Sequence, residues 1–165
     1  MVLPEIVIRW TDDPTQSSKF YPFPCSVQYQ EIVKRIVTDA KFQFLTNSLL
    51  TVPWIVWSVM EKRVLAEKFQ ADALDMESAG IAQIAKECNV PFLVIRTVSD
   101  LMNENLPKDF NFFLSTSTWA KGFWRFVSCP KLWVELFRLR QQAQLASRQL
   151  RRFFCAFFLY LRQQR

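Results

Sequence analysis

In SVQYQEIVKRIVTDAK (26–41), Val27, Ile32, Val33, Ile36 and Val37 fall on one helical face, predicting an amphipathic helix with Ser26 as its N-cap. SVMEKRVLAEKF (58–69) predicts a second, with Glu61, Lys62, Glu67 and Lys68 on its solvated side. Between and around these helices the pattern is extended. EIVIRW (5–10) reads as a short buried strand, and FQFLTNSLLTVPWIVWS (42–58) as strand in two pieces, interrupted at Asn47-Ser48 and at Pro53. TDDPTQSSKFYPFPCS (11–26) is polar and punctuated by proline, which predicts a loop.

Downstream, ADALDM (71–76) predicts a strand and ESAGIAQIAKECN (77–89) a helix whose Ala79, Gly80, Ala82 and Ala85 allow close approach to a sheet. VPFLVIRTV (90–98) is a continuous apolar run of the kind that fills a parallel strand covered on both faces. Strand, helix and strand with short links make a βαβ unit with a right-handed crossover. NENLPKDFNFF predicts a loop entering a helix, and Lys131 to about Leu161 one long or broken helix. The fold class expected is α/β: a three-layer sandwich with a mixed, largely parallel central sheet flanked by helices, and a long C-terminal helical arm. The division expected is an α/β domain over 1–120 and a basic amphipathic arm over 121–165.

Composition narrows the chemistry. With 165 residues, half of them apolar, the chain holds enough for a sizeable core. There is no histidine, which removes His-based triads and His–metal sites, and only two glycines, so no glycine-rich phosphate cradle exists. The four cysteines (Cys25, Cys88, Cys129, Cys155) show no paired spacing and read as buried thiols in a reducing cytoplasm, not as a disulfide framework or a zinc site. The opening MVLPEIVIRW has no basic leader and argues against a signal peptide, and TVPWIVWSVM and FFCAFFLYL are too short to span a bilayer. A soluble, cytoplasmic protein is expected.

The net charge of +6 is unevenly placed. From Lys121 onward ten basic residues face Glu135 alone, whereas the first 120 residues carry a small acidic excess. The basic character therefore belongs to the arm.

Two carboxylates carry the candidate chemistry. Met76-Glu77 leaves the C-terminal end of one expected strand and Ser99-Asp100 that of the next, and ligand sites in open α/β sheets lie outside those ends. Adjacent strands are about 5 Å apart, so both acids would face one crevice and grip a small bipartite ligand from its two ends. Taken singly each has a plainer explanation: Glu77 in the first turn of a helix, favoured by its dipole, and Asp100 as a cap or an ion-pair partner of Arg96.

The stretch ALDMESAGIAQIAKECNVPFLVIRTVSD resembles the C-terminal signature of the nucleoside phosphorylase and nucleosidase superfamily, in which a hydrophobic-Met-Glu-small run is followed, one helix later, by Pro-Phe…Arg…Ser-Asp. The wording DMES…VIRTVSD…LP is most similar to the methylthioadenosine/S-adenosylhomocysteine nucleosidases and the hopanoid-associated phosphorylase-like group. Weaker likeness runs back through EKRVLAEKF to LPEIVI and fades after about Phe113.

The resemblance implies cleavage of the N-glycosidic bond of a purine nucleoside by a homodimeric or larger assembly, with no nucleic-acid partner. It implies no metal or organic cofactor, inorganic phosphate being a cosubstrate only for a phosphorylase. Glu77, with the Met76 backbone, would hold the ribose hydroxyls. Met76 would pack under the sugar, Asp100 would act as general acid toward purine N7, and Ser99 would orient the base edge or Asp100. Arg96 would line the substrate site or serve as structural partner of a carboxylate.

The sequence departs from that pattern at its start. No counterpart appears for the water-activating glutamate of the hydrolases or the Gly/Arg phosphate site of the phosphorylases. The base-contacting loop reads LTNSLLT, with Asn47 near the expected Gly and Leu50 near the expected Phe. An N-terminally truncated domain is the expectation, with sheet edge and apolar surface left to pair with another chain. The alternative is a truncated, non-catalytic nucleoside-binding remnant associated with a membrane surface.

In the arm, Leu132, Leu136, Leu139, Ala143, Ala146, Leu150, Phe153, Phe157 and Tyr160 form one stripe, with arginines largely elsewhere. The stripe suits packing on the sheet or on a dimer partner; an anionic membrane surface is the functional rival, and nucleic acid a weaker third.

Overall fold

Adjacent side chains of a strand point to opposite faces, and this alternation builds the molecule. In the computed structural model, which describes residues 1–13, 16–104 and 130–163, strand β1 (Ile6–Asp13) sends Val7 to one side of the sheet and Ile8 to the other. Strand β3 (Ser48–Thr51) does the same with Leu49 and Leu50. Strands β2 (Gln16–Pro24) and β4 (Ala71–Asp75) complete a four-stranded sheet in the order β2-β1-β3-β4. The β1–β3 and β3–β4 pairs are parallel and β1–β2 is antiparallel, so the sheet is mixed and mostly parallel, as expected.

Helices cover both faces. On one, helix α3 (Ser78–Glu87) lays the fully buried Ala79 and Ala82 against Val7, Phe23 and Leu49. Small side chains permit that approach, but Gly80 takes no part: a Cβ there would meet nothing within 4 Å. On the other face, helix α2 (Val59–Phe69) packs Leu65 with Leu50, Val52, Val56 and Ala71. At the end of the sheet, helix α1 (Val27–Asp39) contributes Val33, Ile36 and Val37 to a third cluster with Leu3. Helix α4 (Pro130–Gln163) closes that cluster with Phe153, which is fully buried. Among the rest of the expected stripe, Ala146, Leu150, Phe157 and Tyr160 are half-buried, Ala143 is exposed, and the side chains of Leu132, Leu136 and Leu139 lie outside the described residues.

Several expectations are corrected. Most of the segment expected as a loop over 11–26 is strand: the end of β1 and the antiparallel β2, with Pro22 opposite Ile8 and Pro24 opposite Ile6. Proline is tolerated there because β2 is an edge strand, where a missing N–H costs no ladder bond. Ser26 precedes α1, but its side chain makes no capping bond. Asn47-Ser48, expected as a break, is where β3 begins. Ser48 Oγ sits 3.1 and 2.8 Å from the carbonyl oxygens of Phe69 and Gln70, at the end of α2.

The second strand of the expected βαβ unit does not form. Residues 92–96 run half-buried into two core clusters, and Arg96 makes a single antiparallel bridge, to Val2, with N–O distances of 2.8 and 2.9 Å. A continuous apolar run reports burial on both sides; it does not say which backbone supplies the hydrogen bonds. Of the cysteines, Cys25 is buried as expected, while Cys88 and Cys155 are exposed; Cys129 and most of NENLPKDFNFF lie outside the described residues.

Candidate active site

Three segments converge beyond the C-terminal end of β4. Met76-Glu77 leaves β4 and enters α3, residues 96–102 follow the Val2 bridge, and α2 supplies Lys62 and Ala66. They enclose a cleft of about 480 Å3 whose floor includes Leu45 and Leu49. Met76, Glu77, Arg96, Ser99 and Asp100 all line it. The five residues singled out in the sequence are thus brought together, although the strand expected to deliver Ser99-Asp100 is absent. What delivers them is the Val2–Arg96 bridge, which fixes the backbone immediately upstream.

Asp75 organises one wall. Its side chain is 7% exposed, and it accepts from Thr51 Oγ1 at 2.6 Å, from the Ser78 backbone N–H at 3.2 Å and from the Ser78 hydroxyl. Thr51 Oγ1 in turn accepts from the Ala79 N–H at 3.1 Å. The first two amides of α3, those of Ser78 and Ala79, are thereby satisfied. Arg96 Nη2 completes the group, donating to Asp75 Oδ2 at 2.6 Å and to Glu77 Oε2 at 2.8 Å. Arg96 is thus the partner of a carboxylate, but of Asp75 and Glu77 and not of Asp100, which pairs with Lys62; it also lines the cleft wall. Among the described residues Glu77 is held through Oε2 alone, with the side chain otherwise open to the cleft mouth.

Lys62 organises the opposite wall. Expected on the solvated side of its helix, it is buried, its side chain 8% exposed. Its Nζ donates to Asp100 Oδ2 at 2.6 Å, Leu101 O at 3.2 Å and Glu104 O at 3.0 Å, so every ammonium proton has an acceptor. Asp100 Oδ1 accepts from Ser99 Oγ at 3.1 Å. Lys62, Asp75, Thr51 and Ser78 were not found by sequence reasoning. Lys62 had a signal: Val59, Lys62, Leu65 and Phe69 recur at three- and four-residue steps, which places it on the buried stripe.

The charged side chains on the cleft wall are Lys62 and Arg96 against Asp72, Asp75, Glu77 and Asp100, an acidic excess of two. Such a surface favours a neutral or cationic ligand over an anionic one. The arrangement offers carboxylate acceptors at one end for hydroxyl donors and, at the other, a carboxyl–hydroxyl pair for a heteroatom-bearing edge.

The sequence model of one family, described as the phosphorylase superfamily, matches residues 9–122. The chain belongs to the phosphorylase superfamily. Among curated members, it is 34% identical over 93 residues to the 5′-methylthioadenosine/S-adenosylhomocysteine nucleosidase of Buchnera aphidicola from Schizaphis graminum, covering 54% of this chain and 40% of that one. To the Staphylococcus aureus protein of the same name it is 31% identical, covering 56% and 41%. The chain thus spans about two fifths of the length of the curated relatives it matches.

Among solved superfamily structures, a Borrelia burgdorferi protein with adenine bound aligns with a TM-score of 0.53 at 26% identity, covering 75% of this chain and 57% of that one. The Helicobacter pylori 5′-methylthioadenosine/S-adenosylhomocysteine nucleosidase aligns with a TM-score of 0.56 at 23% identity, covering 76% and 59%. These likenesses agree with the mixed α/β sheet and flanking helices seen here.

Proposed function

We propose that the cleft binds a purine nucleoside and that the chain acts in cleavage of its N-glycosidic bond. One observation carries this reading: Glu77 and Asp100, on segments separated by a whole helix, line the same cleft, of a size suited to one small molecule. The nucleosidase names of the matched relatives support the substrate class. The acidic excess of the wall supports a nucleoside over a nucleotide.

Each residue then has a task. Glu77 accepts hydrogen bonds from the ribose diol, and Met76 gives the sugar an apolar floor. Lys62 fixes Asp100 Oδ2, leaving Oδ1 and the Ser99 hydroxyl to meet the base edge. As the C1′–N9 bond breaks, its electron pair passes to the purine, and a proton taken from solvent and held between Asp100 and N7 passes to N7, so the base departs neutral. The oxocarbenium-like ribosyl carbon is captured by water, which gives up a proton to solvent, or by phosphate. No metal ion or organic cofactor enters these steps; phosphate is a cosubstrate only in the phosphorolytic form.

A second reading, nucleoside binding without turnover, is favoured by the Lys62–Asp100 ion pair, which leaves the carboxylate engaged unless the base displaces it. Incubation with methylthioadenosine, S-adenosylhomocysteine, adenosine and inosine, with and without phosphate, separates the two. Release of free base, lost in Asp100→Asn, supports catalysis. Saturable binding with no base released supports the second reading, and binding undiminished in Glu77→Gln sinks both.

A further inference from the structure

We infer that the outward face of the second half of α4 docks on an anionic phospholipid bilayer. The inward face is already used: Phe153 is fully buried against Leu3, Val33, Ile36 and Val37, with Phe157 and Tyr160 packed beside it. Off that contact stand Phe154, Phe158, Leu159 and Leu161, exposed by 41, 63, 60 and 43%. Phe154 and Phe158 are one turn apart with ring centroids at 6.2 Å, a continuous aromatic ridge. Four large apolar side chains in about two turns, with the packing face elsewhere, leave a surface that water covers at a cost.

Arginines interleave with this ridge. From Arg140 to Gln163 the helix carries five arginines and no acid. Arg148, Arg151 and Arg152 line a cleft of about 540 Å3 between α4 and the chain just after α1, with Ala40 and Phe42 on its other side and no carboxylate on its wall. Arg152 lies over the Phe42 ring at 5.5 Å, which holds one edge of the cleft in place. A concave cluster of guanidiniums with no counter-charge, beside exposed Phe and Leu, matches a phosphate-bearing headgroup above an acyl boundary. No helix among the described residues is long and apolar enough to cross a membrane, so the contact is lateral.

Two other occupants fit less well. A second copy meeting this face symmetrically would oppose arginine to arginine, since a two-fold contact sets the same patch against itself. Nucleic acid would satisfy the arginines but gives Leu159 and Leu161 nothing to bury into. The inference is independent of the reaction proposed above.

Vesicle flotation of the full chain tests it, using phosphatidylcholine alone and phosphatidylcholine mixed with phosphatidylglycerol. The chain is expected to float with the mixed vesicles only, and less so as salt rises. Each basic side chain near such a surface carries about fivefold in partitioning. The triple variant Arg148→Gln/Arg151→Gln/Arg162→Gln should therefore partition about a hundredfold more weakly. Phe154→Ser/Phe158→Ser should lose about tenfold or more; both variants should keep the parent's helical circular dichroism, and the arginine variant, whose altered residues are exposed, its unfolding temperature as well. Flotation with neutral vesicles to the same extent, no flotation at all, or flotation unchanged in either variant overturns the inference. So does single-stranded RNA that strips the chain from vesicles and binds with Phe154 and Phe158 dispensable, or a dimer that dissociates in the Phe154→Ser/Phe158→Ser variant.

Discussion

Replacing Lys62 by methionine keeps the length of the side chain and removes its charge and its three donors. The ammonium it removes is buried and meets Asp100 Oδ2 at 2.6 Å and the carbonyls of Leu101 and Glu104 at 3.2 and 3.0 Å. Breaking a fully buried pair costs about 3–5 kcal/mol. Asp100 is 27% exposed and regains some hydration, so a loss of about 2–3 kcal/mol is expected for Lys62→Met. Asp100→Asn leaves Lys62 with an amide oxygen and the two carbonyls, and should cost about 1 kcal/mol. In the double variant the buried charge is gone from both sides, and the cycle should show a coupling of about 1–2 kcal/mol.

Urea unfolding followed by tryptophan emission measures all four corners of this cycle. With a slope of about 2 kcal/mol per molar urea, the Lys62→Met midpoint should fall by roughly 1 M. A midpoint within error of the parent, or strict additivity in the double variant, refutes the view that Lys62 is the buried counter-charge of Asp100. The same variants separate stability from ligand binding. If Lys62 positions the carboxyl, Lys62→Met weakens nucleoside binding even in conditions where it remains folded.

Phe153→Ala empties the cluster shared by α1 and α4 and should cost about 3–5 kcal/mol, seen as a large drop in unfolding temperature; a small drop would show that α4 is not part of the core. Gly80→Ala, where an added Cβ meets nothing and the residue lies in α3, should stabilise by about 0.5 kcal/mol through chain entropy. Glu104 is held below the ordinary glutamate range, first by the hydrogen bond from Gln142, against the opposing effect of burial, the next largest, and then by the Leu101 amide and Arg138. A depressed carboxyl contributes its stability above the unfolded-state value, about 4.3, and loses it as pH falls through the lower folded value. Protease cleavage of α4 should therefore rise in acid below about pH 4, and Glu104→Gln should flatten that rise.

Legibility followed physical cause. Helices α1, α2 and α3 were readable because their apolar residues repeat with the helical period, and β1 because the β-branched run Ile6-Val7-Ile8 lies within it. The β1–β2 hairpin was not, since Pro22 and Pro24 signal a break wherever the strand is not at an edge, and edge position is a property of the whole sheet. Glu77 and Asp100 were placed in one cleft correctly by a route that does not exist, the second parallel strand. The inference survived because the Val2–Arg96 bridge sets residues 96–100 at the same end of the sheet. Lys62 was misassigned because charge was allowed to outweigh periodicity. Asp75 was given no role, because its partners Thr51, Ser78 and Arg96 come from three separate segments.

The cleft and the C-terminal helix meet in one residue. The Glu104 backbone carbonyl accepts from Lys62, which holds Asp100, while the Glu104 carboxylate accepts from Gln142 at 2.8 Å and from Arg138, both on α4. A four-residue segment, Leu101–Glu104, is therefore clamped between a buried lysine and the helix proposed to lie on a bilayer. Because α4 docks inward through Phe153 and meets Glu104 through Arg138 and Gln142, the outward ridge at Phe154 and Phe158 is free to engage lipid without breaking either contact. Displacing α4 would instead pull on Glu104 and, through Lys62, on Asp100. The basic arm is on this account a structural extension of the acidic cleft: its charge serves a surface, and its position serves the carboxyl.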